Sequence, residues 1–440
     1  MMRDAFFDLA DRLGDGLRGD EVLFCNLDGE DSEFVRLNKN RVRQAGSLHR
    51  RSLELSLIAA GRQVEGGCEL SGSPEQDLAL ARDLLERLRE RLPHVPEDPY
   101  LSYSTTPASS ERTLGGRELP DAAEAVSELI AGAGDLDLVG IWASGDLLSG
   151  LASSIGHRHW HHSTSFNLDF SCFLESDKAI KAGYGGLEWD GARLAEKLEE
   201  VRRGLALMAS PTRSIPPGRY RAYLAPEAVQ ELMDMLAWGG FGLKSHRTAQ
   251  TPLLRLVEEE CSLDPRVSIR EEPGRGLVPA FTAEGFDKPE RVDLIAGGHY
   301  GKCLVDSRSG KEYGVPANAA SEYPESIAFD AGEMPRAEVL DRLGTGIYIG
   351  NLWYLNYSDR NDCRITGMTR FGTFWVEKGE PVAPVQVMRF DDSVYHLLGD
   401  RLEALTMERE LLLCADTYGG RSTASSLLPG ILVGGIDLAL

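Results

Sequence analysis

The densest group of chemically versatile side chains is the run from Gly156 to His162 (GHRHWHH), which holds four of the nine histidines. If this run is a strand, His157, His159 and His161 project to one face, where imidazoles can bind a transition metal or line a polar cleft. Residues two apart on a strand are about 6.5–7 Å apart, whereas the donor atoms around one metal ion are about 3–3.5 Å apart. The spacing therefore favours a polar cleft wall or a buried strand face, and we take these three histidines as candidate cleft-lining residues.

A second candidate for chemistry is His299 with Cys303 in the segment GGHYGKC. The two residues are four apart and suggest a thiol with its base, but such a base also needs a third group to orient it. The sequence defines no such group, so a strand pair beside a turn is the simpler interpretation. We keep His299 as a fourth candidate cleft-lining residue.

Several catalytic patterns are absent from the sequence. It contains no GxSxG nucleophile turn and no phosphate-binding GxxxxGK[ST] loop, and the glycines of Gly344–Gly350 lead into strand-like sequence, which is typical of a strand bend. A zinc peptidase helix carries two histidines one turn apart with an adjacent glutamate, but the helical segment Glu227–Gly240 has no histidine. We therefore assign no catalytic residue, no metal ligand and no cofactor.

The overall charge restricts the classes of partner. The chain has 440 residues, of which 47 are Lys or Arg and 69 are Asp or Glu, giving a net charge of −22. Nucleic acid and anionic membranes would be repelled, and the one dense basic run, Lys39–Arg51, is typical of the solvated side of a strand. Seven scattered cysteines, no signal peptide and no long apolar segment predict a cytoplasmic protein that binds neither nucleic acid nor membrane directly.

The pattern of elements predicts an α+β fold of two domains with antiparallel sheets and packed helices. The Pro- and Gly-rich stretch Pro211–Gly218 separates an N-terminal α+β domain, residues 1–212, from a strand-rich C-terminal domain, residues 219–440. Hydrophobic periodicity predicts these local elements: strands Glu33–Arg43 and Ser52–Ile58 with a turn at Gly46 and Ser47, helices Ser73–Arg91, Ala122–Ala133, Gly191–Met208 and Pro226–Trp238, and a helix-biased stretch Asp392–Leu413.

A group of aromatic residues in the second half is suited to a subunit face or a peptide cleft: Tyr348, Trp353, Tyr354, Tyr357, Phe371, Phe374 and Trp375. Trp353 and Tyr354 are adjacent, so on a regular strand they point to opposite faces. At least one of the two rings therefore faces away from the local core and is expected to be buried by another surface, which predicts an association surface.

Motifs in a fixed order carry a family resemblance from Phe34 to Leu438. They are RLNKNRVRQAGS, YLAPEAVQELMDMLAWGGFG, the segment DPRVSIREEPGRGLVPAFTAEGFDKPERVDLIAGGHYGKC with Phe281, Glu284, Gly285 and Gly298 at its marked positions, GIYIGNLWYLN, GMTRFGTFWVEKGEPVAPV and SSLLPGILVGGIDL. Together they resemble the TldD/PmbA (TldE) family, also called modulators of DNA gyrase. The resemblance implies that family's α+β fold.

The resemblance also indicates a branch of the family. Its catalytic TldD-type subunits hold zinc with a His-Glu-x-x-x-His helix and a late cysteine. Here the corresponding positions are Asp234, Met235 and Gly239 on the helix and the thiol-free segment Tyr418–Arg421, while Cys414 lies earlier and is predicted to be a core residue. These departures resemble the PmbA/TldE branch, which lacks the metal ligands.

Two functions follow as expectations. The resemblance implies a non-catalytic subunit of a TldD/TldE-type metalloprotease that acts on unfolded peptides, with a TldD-like zinc peptidase subunit as partner and a homodimer when the chain is expressed alone. The alternative is a stand-alone hydrolase or metal-binding enzyme that uses the His157–His162 run or the His299 and Cys303 pair.

Overall fold

The computed structural model describes residues 2–115, 119–175 and 178–439. The first half of the chain combines helices with one sheet. Its α-helices are α1 (Met2–Gly14), α2 (Pro74–Arg91), α3 (Ala122–Ala133) and α4 (Gly191–Met208). Its strands are β1 (Val22–Asn38), β2 (Arg41–Ala59), β3 (Arg62–Glu69), β4 (Ser109–Leu114), β5 (Asp137–Ser153), β6 (Arg158–Glu175) and β7 (Lys178–Gly186).

The first sheet has the strand order β3-β2-β1-β5-β6-β4, and β7 also pairs with β6. The neighbours are antiparallel except for β4 and β6, which run parallel. Helix α2 begins with Pro74, whose fixed φ suits a first helical position, and buries leucines at helical spacing such as Leu78, Leu85 and Leu88. Helices α3 and α4 pack around the buried rings of Trp142 and Phe166.

The turn between β1 and β2 lies at Lys39 and Asn40, which have φ values of 52° and 51°. Two successive residues with positive φ form the tight hairpin turns whose twist matches that of the strands. The side-chain amide of Asn40 donates to the carbonyls of Ile130 (3.0 Å) and Gly134 (2.8 Å), which holds the turn against α3. The predicted turn at Gly46–Ser47 is wrong, because these residues pair with β1 inside β2.

The second half holds the other sheet. Its α-helices are α5 (Pro226–Ala237), α6 (Leu243–Arg247), α7 (Leu254–Val257), α8 (Ser307–Tyr313) and α9 (Val339–Leu343). Its strands are β8 (Gly218–Leu224), β9 (Ile269–Glu271), β10 (Val292–Ala296), β11 (His299–Tyr300), β12 (Ser326–Phe329), β13 (Gly346–Asp359), β14 (Arg364–Glu377), β15 (Glu380–Pro384), β16 (Arg389–Ser393), β17 (Leu402–Leu413) and β18 (Ser425–Ala439).

The second sheet closes on itself. Strands β8, β13, β14, β16 and β18 follow one another, and β18 pairs again with β8, so five strands form a ring. Strand β17 also pairs with β18. From β18 the sheet extends outward through β12, β9, β10 and β11, in that order. The parallel pairs β12–β18 and β13–β8 depart from the predicted antiparallel pattern. The fold is α+β, as predicted.

The stretch Asp392–Leu413 corrects one local prediction. It is not a helix: it contains the end of β16, a short π-helical turn at His396–Asp400, and then β17. Leu405 and Leu412 are buried on β17, which pairs with β18 along most of its length. The leucines and glutamates of this stretch favour a helix locally, but pairing with the apolar strand β18 overrides that preference.

The two sheets divide the chain close to the predicted linker. Strands of the first sheet end at Gly186, and strands of the second begin at Gly218. The division into domains 1–212 and 219–440 stays a prediction, which this separation supports. Among the residues that the structure describes, no helix is long and apolar enough to cross a membrane.

Candidate functional site

Helix α5 presents a row of carboxylates to the space between the two halves. Pro226 starts the helix, and Gly239, with a φ of 82°, follows its end. The apolar face of α5 packs on β13 and β18 through buried residues that include Val229, Leu232 and Leu236. Residues at positions i, i+4 and i+7 lie on the same face of a helix. On α5, the face opposite the apolar one carries Glu227, Glu231 and Asp234 in this spacing.

The surroundings of this face raise the pKa of its acids. Loss of solvation raises the pKa of Asp234 to about 6, although its side chain remains accessible to solvent. Loss of solvation also raises the pKa of Glu231, with a further contribution from the charge of Asp234 and an opposing one from Lys181. An accessible carboxylate with a raised pKa lies in a concave place, where protein displaces much of the water. We therefore take the α5 face as the floor of a candidate cleft.

The walls of this cleft, which we call the α5 cleft, come from both halves. Lys181 on β7 acts electrostatically on Glu231. Tyr323 lies in the loop before β12, is 50% exposed, and its pKa is raised mainly by lost solvation and further by Asp234 and Cys414. Cys414 follows β17, is half-buried rather than the predicted core residue, and its carbonyl accepts a hydrogen bond from the Asn167 amide at 3.0 Å.

An ion network connects the halves at the other end of the α5 face. Lys197 Nζ on α4 lies 2.7 Å from Glu410 Oε1 on β17, and Arg193 on α4 lies 2.8 Å from Glu410 Oε2. Burial alone would raise the pKa of Glu410, but the charges of Lys197, Arg193 and Arg336 lower it. Burial raises the pKa of Glu227, which Lys197 opposes. Three cations around Glu410 and Glu227 thus hold α4, α5 and β17 together.

His159 and His161 are alternate residues of β6, and His157 directly precedes this strand with its ring stacked on that of His159 at 6.1 Å. The three histidines are 0%, 1% and 0% exposed, in that order. The Ser153 hydroxyl lies 2.6 Å from His157 Nδ1, the Ser110 hydroxyl lies 2.8 Å from His159 Nδ1, and His161 Nε2 donates to a carbonyl of the second half, that of Leu277, at 2.7 Å. Loss of solvation lowers the pKa of all three, that of His161 to about 4. They are enclosed where the two halves meet, and their role in lining a cleft stays a prediction.

The segment that covers these histidines is fitted closely to them. The ring of Phe281 stacks on His159 with centroids 5.0 Å apart. Gly285 has a φ of 84° and lies over His157, so that a Cβ at this position would be 2.9 Å from the imidazole. Asn26 on β1 donates to the carbonyl of Ala283 at 3.3 Å. The segment 277–285 is therefore docked on the first sheet by shape as well as by hydrogen bonds.

Gly285→Ala is expected to lower the free energy of unfolding by about 2–4 kcal/mol, because the new methyl group combines a strained φ with a clash against a buried ring. Gly314→Ala is the matched control: Gly314 also has a positive φ, of 68°, but a Cβ there meets nothing within 4 Å. The control should lose only about 1–2 kcal/mol. Equal losses in urea unfolding of the two variants would show that the contact with His157 contributes nothing.

The fourth candidate, His299, lies exposed on the short strand β11. Cys303 is joined to a different histidine: its Sγ is 3.5 Å from Nδ1 of His246, on α6. His246 Nε2 donates to the carbonyl of Gly240 at 2.9 Å, which leaves Nδ1 free to accept the thiol proton. The sequence missed His246 because it is 57 positions from Cys303. Lost solvation raises the pKa of Cys303 and lowers that of His246, so the pair is held neutral.

The loop between β17 and β18 is tied to the first sheet by Arg421. Its guanidinium donates to the carbonyls of Ser165 (2.8 Å) and Gly145 (3.1 Å), and burial lowers its pKa to about 10. Its backbone N–H approaches the Glu30 carboxylate at 3.3 Å. In contrast, Tyr418 is 97% exposed. The loop thus borders the α5 cleft through Cys414 and reaches β1 through Arg421.

The aromatic pair in β13 differs from a regular strand. Trp353 and Tyr354 are both exposed, at 43% and 78%, because Tyr354 has a φ of 59° and the pairing register shifts there. Arg370 lies over the Trp353 ring at 4.4 Å. Phe374, by contrast, is buried. The aromatic group therefore divides into core residues and an exposed pair.

Comparison with known proteins identifies the family. The family profile described as the PmbA/TldA metallopeptidase C-terminal domain matches residues 217–440, slightly more than half of the chain. The chain belongs to the TldD/PmbA family. A comparison with curated proteins gave no match.

Solved structures share the fold of this TldD/PmbA protein along its whole length. TldE from Thermococcus kodakarensis superposes with a TM-score of 0.78 at 14% identity, covering 99% of this chain and 100% of that one. A Thermotoga maritima protein described as a modulator of a DNA gyrase gives 0.75 at 16%, covering 99% of each chain. A similarly described protein from Bacteroides thetaiotaomicron gives 0.74 at 15%, covering 100% of each. At these identities the matches show the fold.

The residues of α5 do not fit the zinc site that the family name implies. Asp234 offers one carboxylate, the Met235 side chain is buried in the core, and Gly239 has no side chain. Zinc in proteins is held by at least three nitrogen, sulfur or oxygen side-chain ligands. Within residues 2–115, 119–175 and 178–439, no three His, Cys, Asp or Glu side chains are grouped to hold a metal ion. This donor set does not fit the zinc site of a metallopeptidase.

Proposed function

We propose that this chain is the non-catalytic subunit of a TldD/TldE-type metalloprotease complex that acts on unfolded peptides. A TldD-like partner supplies the zinc and the hydrolytic chemistry. This chain supplies one side of a shared peptide-binding space, of which the α5 cleft is part. We further propose that it works in the cytoplasm and folds as the two domains described above.

The observation that carries this proposal is the composition of α5. The helix lies on the cleft floor, but its exposed face carries Glu227, Glu231 and Asp234 instead of imidazoles. Carboxylates held in a desolvated cleft accept hydrogen bonds from backbone N–H groups and attract cationic side chains. Such groups bind a peptide, and they leave its hydrolysis to another subunit.

The surface of the second half supports association with a partner. Trp238, Trp353 and Tyr354 are 57%, 43% and 78% exposed. Large aromatic residues that a chain leaves uncovered are enriched in the centres of subunit interfaces. We propose a heterodimer with the TldD-like subunit in the cell and a homodimer when this chain is expressed alone.

Affinity purification from the native host tests the partnership. A tagged wild-type chain is expected to retain a zinc-containing subunit that carries a His-Glu-x-x-x-His helix, in about equal amount. A variant with Trp353→Ser and Tyr354→Ser should retain clearly less of it, while Tyr418→Ser, a change at an exposed aromatic on another loop, should retain the wild-type amount. Retention of no such subunit by the wild-type chain would contradict the proposal.

The pair of Cys303 and His246 supports a second candidate, a stand-alone thiol hydrolase. The thiol, its base and the carbonyl of Gly240 that orients the base form the arrangement used in nucleophilic catalysis. Its raised thiol pKa opposes this function, because the thiolate is the nucleophile. Cleavage of an unfolded peptide by this chain alone, lost in Cys303→Ala and kept in Cys261→Ala, would favour this candidate over the first.

A further inference from the structure

The longest basic stretch of the chain lies on a strand edge that has no neighbour. Strand β2 pairs with β1 from Arg41 to Ile58, whereas β3 covers only its Ser52–Ala59 portion. The Arg51 carbonyl accepts a hydrogen bond from Leu70 N–H. In the described part of the chain, the outer edge of Gln44–Arg50 has no backbone partner. We call these seven residues the free edge.

The free edge is accessible from every side. Its first four residues, Gln44 to Ser47, are all exposed, so neither face of the sheet is covered there. A Cβ built on Gly46 meets nothing within 4 Å. Unpaired N–H and C=O groups on such an edge form a template for another strand. Small side chains leave this template open at Ala45 and Gly46, and Ser47 and His49 also line a cavity with Asp31 and Glu33 of β1.

The charges around the free edge select its occupant. From Arg41 to Arg51 the chain has four arginines and no acidic residue, although its net charge is −22. Arg41 and Arg43 are exposed at one end, with no ion pair in the described structure, and Arg50 lies at the other end, donating to the Gly419 carbonyl at 3.0 Å. On β1, Glu33, Asp31 and Glu30 lie opposite Ser47, His49 and Arg50, and Asp31 pairs with Arg51 and His49. The uncompensated positive charge is therefore at the Arg41 and Arg43 end, and a strand bearing Asp or Glu at that end complements this edge.

The same charges disfavour a second copy of this chain. Antiparallel pairing of two free edges about their common centre, Ser47, would place Arg43 of one copy opposite Arg51 of the other. Like charges directly opposite each other destabilise a strand pair. Strand addition uses main-chain hydrogen bonds, which an extended segment offers without a folded partner. An unfolded, acidic segment is the occupant that the edge fits.

We propose that the free edge, Gln44–Arg50, binds an extended acidic peptide segment by strand addition. Main-chain hydrogen bonds fix its register, and Arg41 and Arg43 select acidic side chains at the end nearest the β1–β2 turn. The Arg50 contact with Gly419 places one end of this segment beside the loop that borders the α5 cleft. The site belongs to this chain by itself, so it goes beyond the proposed peptidase complex and does not depend on the partner.

Binding of a synthetic peptide to the purified wild-type chain tests the proposal. The probe is a fluorescein-labelled peptide of about nine residues, enough to span the edge at about 3.3 Å per residue, with alternating Thr and Val and Glu at both ends. Fluorescence anisotropy is expected to show saturable binding. The double variant R41E/R43E should weaken it about tenfold. R82E/R203E, which makes the same charge change at exposed positions of α2 and α4, should bind as wild type.

Backbone N-methylation separates strand addition from attraction by charge alone. Two further probes carry N-methyl groups on odd or on even residues. One pattern is expected to abolish binding and the other to preserve it, because only alternate N–H groups of an added strand face β2. Equal binding of both methylated probes, or no effect of R41E/R43E, would overturn the proposal. The arginines would then serve to prevent unwanted strand pairing at this edge. Light scattering that shows a dimer dissociated by R41E/R43E would assign the edge to a second copy.

Discussion

Glu410→Gln is expected to lower the free energy of unfolding by about 3–5 kcal/mol. The change removes the carboxylate shared by Lys197 and Arg193, so that Arg193 keeps only its pair with Glu196 and Lys197 loses its one direct ion pair. The Lys197 side chain is only 5% exposed, so water cannot replace the lost partner. Since Lys197 belongs to α4 and Glu410 to β17, the loss also weakens the contact between the halves. Urea unfolding at pH 7 measures the change.

A double-mutant cycle provides the control for this prediction. Lys197→Met combined with Glu410→Leu replaces both buried charges by apolar groups of similar length, which is expected to recover much of the stability lost in either single variant. Arg342→Met, which removes an exposed partner of Glu338, should cost less than about 1 kcal/mol. A Glu410→Gln variant as stable as Arg342→Met would contradict the account of the ion network.

The second large effect is expected on acidification. Burial lowers the pKa of His161 to about 4, whereas an unfolded chain binds this proton near 6.5. The unfolded state therefore holds more protons between these pH values, so the stability due to His161 is present above pH 6.5 and is lost as pH falls toward 4. The shift corresponds to about 3 kcal/mol. Acid should thus loosen the docking of segment 277–285 on β6.

The variant His161→Gln isolates this contribution from other titrating groups such as Asp234. Glutamine can donate to the Leu277 carbonyl but does not titrate. Between pH 6.5 and pH 4, the wild type should lose about 3 kcal/mol of unfolding free energy relative to the His161→Gln variant. His299→Gln, which removes an exposed imidazole, is the control. A difference that stays constant across this range would refute the burial account.

Local sequence signals predicted the elements that position the α5 cleft. Pro226 and the spacing of Val229, Leu232 and Leu236 predict α5, and alternate positions predict that His157, His159 and His161 share a strand face. The stripe of Glu227, Glu231 and Asp234 was also readable from their spacing. The surroundings of this stripe could not be predicted from the sequence, because Lys181 and Tyr323 come from distant segments whose position depends on the packing of the two halves.

The wrong predictions share a physical cause, which is that long-range pairing overrides local preference. Gly46 and Ser47 suggest a turn, yet the turn forms at Lys39 and Asn40, where contacts with α3 hold Asn40. Asp392–Leu413 favours a helix, yet β18 recruits its second part as a strand. The partner of Cys303 is likewise fixed by the approach of α6 and could not be derived from the spacing to His299.

The zinc content of the purified proteins tests the central claim most directly. This chain alone, dialysed against zinc and then against buffer, is expected to hold no stoichiometric metal and to cleave no unfolded peptide. The complex with a TldD-like subunit is expected to hold a single zinc ion and to cleave the peptide, and to lose both when a histidine of that subunit's His-Glu-x-x-x-His helix is replaced. A tightly held zinc ion in this chain alone, together with cleavage that the chain performs without a partner, would contradict the account.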